Sequence, residues 1–88
     1  MTKQREPLLD LKNIGPKSAS WLRELGIHSR ADLLARGSLE VYRALKVAGR
    51  PVSLVLLYAL EGALLDLHWN ALPPELKQDL KDRARREP

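Results

Sequence analysis

Leu11-Lys12-Asn13-Ile14-Gly15-Pro16-Lys17-Ser18-Ala19-Ser20-Trp21-Leu22-Arg23-Glu24-Leu25-Gly26-Ile27 places a helix end, a tight turn and a helix start in immediate succession. Leu8, Leu9 and Leu11 form the apolar side of a short first helix, which Asn13-Ile14-Gly15-Pro16 stops. Pro16 opens a second helix: its fixed φ suits the first helical position, and the N–H it lacks would find no intrahelical partner there. Ala19, Leu22 and Leu25 recur at helical spacing as the inner stripe, with Trp21 beside them. Gly26 supplies the left-handed residue that ends such a helix. The stretch predicts two helices joined by a hairpin.

The first turn of that second helix is chemically unusual. Pro16 to Ser20 contains no acid, although a negative charge would be stabilised there, and Lys17 carries the sign that the helix dipole disfavours. Free amides, the hydroxyls of Ser18 and Ser20 and the Lys17 ammonium can converge on one anion, a phosphate above all. The alternative is plain: Gly15-Pro16 is only a tight turn and Lys17 a solvated side chain. Both readings stand at this point.

Working outward, Ser29-Arg30-Ala31-Asp32 is a short-side-chain relative of the capping box and opens a helix through Ala35 that Gly37 can close. Ser38 is expected to cap the next helix, in which Leu39, Tyr42 and Leu45 face inward and Glu40, Arg43, Lys46 and Arg50 face outward. Val52 to Asn70 carries Leu54, Val55, Leu56, Leu57, Leu60, Leu64, Leu65 and Leu67, too many for one stripe, and fits a central helix enclosed by others. Small residues at 59, 62 and 63 allow close approach, and Gly62 is expected to pack against a neighbouring helix. After Pro73-Pro74, Leu76, Leu80 and Ala84 draw a narrow apolar line along a last, charged helix. No segment shows the strict alternation of a strand.

Composition bounds what such a chain can be. Its 88 residues, 44% hydrophobic and 30% charged, suffice for one folded domain and leave no room for a large catalytic fold. There are no cysteines, so neither disulfides nor thiolate metal sites supplement the core. Met1 to Pro7 is polar, with no apolar secretory segment, and the apolar run from Val52 falls short of the roughly 20 residues a membrane span needs. A cytoplasmic location, without membrane contact, is the expectation. The net charge of +4 is segregated: residues 1–51 carry +5 and residues 52–88 carry −1. That asymmetry points the N-terminal elements toward an anionic partner.

The run from Leu11 to Ile27 resembles the helix-hairpin-helix element of DNA-binding proteins. In that family the hairpin reads Gly-apolar-Gly, backbone amides hold a DNA phosphate, and a lysine after the second glycine adds charge. Gly15, Pro16 and Lys17 match. Asn13 stands at the first glycine's place, and Asn is the next best residue at positive φ. A broader resemblance lies in the order of Asn13-Ile14-Gly15-Pro16-Lys17-Ser18, Trp21-Leu22, Gly26-Ile27, Tyr58-Ala59-Leu60-Glu61-Gly62-Ala63-Leu64 and His68-Trp69. It resembles the C-terminal domain of the TfoX/Sxy competence-regulator family over about residues 8 to 82. Full-length members carry a separate N-terminal domain and are implicated in turning on DNA-uptake genes. The resemblance implies a small helical domain of helix-hairpin-helix type.

The remaining candidates read as structural. Arg43, Lys46 and Arg50 share a line with Glu40, as a solvated face would. Asp79 and Asp82 stand four residues before Arg83 and Arg86 as intrahelical pairs. Glu61 is read as a rim carboxylate rather than a catalytic acid, since no second acid or histidine recurs around it at a catalytic spacing. His28 and His68 each lack a second ligand at i+3 or i+4, so no metal is implied. Trp21, Tyr42, Tyr58 and Trp69 are assigned to the core or its rim. Phosphate loops and nucleophile motifs are absent, which argues against an enzyme.

The expected architecture is therefore an all-α domain spanning 1–88, with an ordered core of about 8–82 and flexible charged ends. Five or six short helices pack around Val52 to Trp69 with the hairpin exposed at one end. The expected function is non-enzymatic, sequence-nonspecific binding of double-stranded DNA, without cofactor or small-molecule substrate. Asn13, Gly15, Pro16, Lys17 and Ser18 grip a phosphate, while Lys12, Arg23 and Arg50 add diffuse attraction. In the alternative the hairpin is only a joint, and the chain binds another protein or a second copy of itself.

Overall fold

A computed structural model describes residues 7–86. Residues 1–6 and 87–88, where flexible ends are expected, lie outside the described residues. The chain is all-helical: a 3-10 turn at Pro7–Asp10, α1 (Pro16–Glu24), α2 (Arg30–Arg36), α3 (Ser38–Val47), α4 (Leu54–Leu65), a 3-10 turn at Trp69–Ala71 and α5 (Pro74–Arg85). The first helix expected from Leu8, Leu9 and Leu11 is thus only one 3-10 turn, of which Leu8 is fully buried.

Local chemistry explains the boundaries. Gly26, at φ 81°, lets its own N–H donate to Arg23 O and the Ile27 N–H donate to Leu22 O. This double closure satisfies the last carbonyls of α1 and brings Ile27 onto Leu22, both buried. The Ser29 hydroxyl accepts from the Asp32 N–H at 3.1 Å, and Asp32 Oδ2 accepts from the His28 N–H at 2.9 Å, one residue earlier than in the usual capping box. Ser38 does not cap α3, contrary to the expectation. Gly37 occupies that position, and the buried Ser38 hydroxyl instead donates to Glu61 Oε1 at 2.6 Å.

The central apolar segment is shorter than its composition suggests. Asp66 takes a left-handed conformation, φ 59° and ψ 42°, and ends α4 at Leu65, so the chain turns before Trp69 instead of remaining helical to Asn70. α4 still supplies the core: Leu57 and Leu60 are fully buried, and the helix packs against α2, α3, α5 and the 3-10 turn that follows it. Its enclosure is incomplete, with Val55 and Leu65 nearly half exposed. Gly62 packs against the Asn13 side chain and the Leu67 carbonyl, not against a helix: a Cβ there would lie 2.6 Å from each. Leu80 and Ala84 bury the inner line of α5, with Leu76 half-buried beside them. No helix of the described residues is long and apolar enough to cross a membrane.

Candidate nucleic-acid interface

The hairpin between Leu11 and α1 is held from behind by one side chain. Asn13, at φ 71°, donates from Nδ2 to Leu67 O at 2.9 Å and to Ala59 O at 3.3 Å, while its Oδ1 accepts from the Trp69 N–H at 3.1 Å. These bonds span more than 45 residues of chain. The side chain of Asn13 is therefore spent on the fold, and what the residue can offer an external partner is its backbone.

In front of that anchor, Gly15, Pro16 and Lys17 are exposed and Ser18 is half-buried. Gly15 is the N-cap of α1; no side chain caps the terminus and its first turn holds no acid. At φ −98° and ψ −177° Gly15 has extended backbone open to any residue, and a Cβ built on it meets nothing within 4 Å. Neither conformation nor internal packing demands glycine. What the missing side chain leaves is an unobstructed approach to the start of α1. Lys17 Nζ lies 5.3 Å from the centroid of the half-buried Trp21 ring, a cation–π contact with the residue one turn further along α1.

The other expected cations divide. Lys12 joins this surface, its Nζ 4.0 Å from Asp66 Oδ1. Arg23 lies in the last turn of α1, about 9 Å along the axis from Lys17 at a rise of ~1.5 Å per residue. Arg50 pairs with Glu24 at that same far end, tying the α3–α4 loop to α1. Lys12, Asn13, Gly15, Pro16, Lys17 and Ser18 are thus neighbours along the hairpin, and Arg23 and Arg50 stand at the other end of α1.

Elsewhere the polar groups read as struts. Arg30 Nη2 donates to Leu64 O and closes the C-terminus of α4. Lys77 Nζ lies 5.5 Å from the Trp69 ring and 5.9 Å from Tyr58, fastening α5 to the turn after α4. Glu61 accepts from Ser38 beside a cleft of about 580 Å³ between α3 and α5, where Arg43 donates to Arg83 O and Arg83 pairs with Asp79 at 3.2 Å. Among the described residues no group of three or more His, Asp or Glu is placed to hold a metal. The Asn13 anchor and the position of Asp66 escape sequence reasoning, because their partners lie about fifty residues away with no periodicity to announce them.

The model of a family described as the TfoX C-terminal domain matches residues 4–84. A crystal structure titled as that of an uncharacterized protein from Listeria monocytogenes, in a triclinic form, is similar at 34% identity over 84% of each chain, with a TM-score of 0.80. Among curated proteins none matches.

Proposed function

This chain belongs to the TfoX C-terminal domain family, and from that premise we propose that its hairpin holds the backbone of double-stranded DNA without reading its sequence. Membership suggests a competence-related domain, and a role beside DNA-uptake genes is part of the proposal. The observation that carries the reading is the start of α1. An uncapped, acid-free terminus, an exposed glycine that neither backbone nor packing requires, and the flanking Lys17 and Ser18 together suit one phosphate group. The contacts offered are amides, a hydroxyl and ammonium groups. These engage phosphate rather than base edges, so binding is weak and insensitive to sequence. No chemical step is involved, and the role needs no cofactor.

Fluorescence anisotropy with a labelled duplex at two salt concentrations tests the proposal. Affinity falls as salt rises, because phosphate contacts release counterions, and scrambling the duplex changes little. Absence of binding at low salt and high protein concentration would transfer the function to a protein contact. That second reading draws on the cleft between α3 and α5, at whose edge Leu34 is 59% exposed.

A further inference from the structure

Asp66 is a poor residue for the position it holds. Its backbone is left-handed, which Gly or Asn adopts more readily than Asp. Its carboxylate sits at the C-terminus of α4, where the helix dipole favours a cation; the helix has no basic residue in its own last turn, and the guanidinium that reaches its end is that of Arg30 from α2, on Leu64 O. At 84% side-chain exposure it gains nothing from burial. The polar contact that its carboxylate makes among the described residues is with Lys12 Nζ at 4.0 Å, itself half-exposed, and surface pairs of this kind contribute little to folding. Among the described residues the fold gains little from an acid here.

Its neighbour suggests a reason. Lys12 immediately precedes Asn13 and is one of the two cations on the exposed hairpin face. Asn13 binds Leu67 O and the Trp69 N–H, which keeps the Asp66 loop against the hairpin rather than leaving the pairing to chance. We propose that Asp66 is an electrostatic brake on phosphate binding: it retains Lys12, keeping the hold on DNA weak and readily reversed. This inference rests on the phosphate reading of the hairpin and assigns the residue that limits its strength.

The test is a salt series of anisotropy titrations on the full chain with one labelled duplex, comparing wild type, Asp66→Asn, Asp66→Asn with Lys12→Gln, Lys17→Glu, and Glu40→Gln as a charge-matched change on α3. Asp66→Asn is expected to melt no lower than wild type. It binds about twofold to fivefold tighter at low salt, the range of an exposed ion pair. Its plot of log affinity against log salt steepens by about one unit as Lys12 takes up a phosphate. Adding Lys12→Gln removes the gain, and Glu40→Gln does not reproduce it. If Asp66→Asn binds like wild type while Lys17→Glu abolishes binding, the brake is wrong and the phosphate reading stands. A gain that survives Lys12→Gln, or that Glu40→Gln matches, reduces the effect to net charge and overturns the brake. Failure of wild type and Asp66→Asn alike to bind overturns both inferences.

Discussion

A lysine in the first turn of a helix opposes the helix dipole by about 0.3–1 kcal/mol, and at Lys17 the contact with Trp21 returns about 0.5–1 kcal/mol. The two terms nearly cancel and the new glutamate adds its own favourable interaction with the dipole, so Lys17→Glu is expected to be as stable as wild type or more stable by up to about 1 kcal/mol while removing duplex binding. Paired melting curves and anisotropy titrations check this, and a large loss of stability would make Lys17 a structural residue. Gly15→Val separates fold from function from the other side: the extended backbone and open surroundings accept a side chain, so the variant folds at a cost of about 1 kcal/mol for a poorer N-cap but obstructs the approach to the α1 amides. Asn13 behaves in the opposite way. Asn13→Ala loses three hydrogen bonds and strains a left-handed residue, at a cost of about 2–4 kcal/mol in chemical denaturation; Asn13→Gly, free of the strain, is milder by about 1 kcal/mol. The left-handed tendency of Asn13 is legible in the sequence. Its three partners are not, because no local pattern relates residue 13 to residues 59, 67 and 69.

Among the elements, α4 carries the core. Leu57→Ala or Leu60→Ala is expected to destabilise by about 2–5 kcal/mol, since both side chains are fully enclosed and truncation leaves a cavity. Denaturation shifts below about 0.5 kcal/mol would place the core elsewhere. Gly62→Ala asks a finer question. In an ordinary helix interior the change stabilises by about 0.5–1 kcal/mol, but here the new methyl meets Asn13 Nδ2 and Leu67 O at 2.6 Å, so a loss of about 1–3 kcal/mol is expected instead. The existence of α4 was plain from its apolar run, and α1, α2 and α5 begin where Pro16, Ser29 and the Pro73-Pro74 pair indicate. The end of α4 was hidden. Leu64, Leu65 and Leu67 continue the apolar pattern through the break, and only the backbone of Asp66 reveals that the helix has stopped.

At the scale of the whole molecule, the parts of the candidate site that the sequence made legible are those contiguous in the chain. Lys12, Asn13, Gly15, Pro16, Lys17 and Ser18 lie within seven residues of one hairpin. Arg23 and Arg50 were grouped with them on charge alone. Charge does not distinguish the two ends of α1: Arg23 lies in its last turn, and tertiary packing brings Arg50 to Glu24 at that same end. The net charge of +4 favours the approach of a polyanion, for which the proposed point of contact is the hairpin. The central claim, that a duplex phosphate sits at the start of α1, is tested most directly by following the backbone amide resonances of the isotope-labelled protein as duplex DNA is added. The account predicts that the Gly15, Lys17 and Ser18 amides shift first and furthest, with Lys12 following. Shifts centred on the cleft between α3 and α5, with those three amides unmoved, would contradict it.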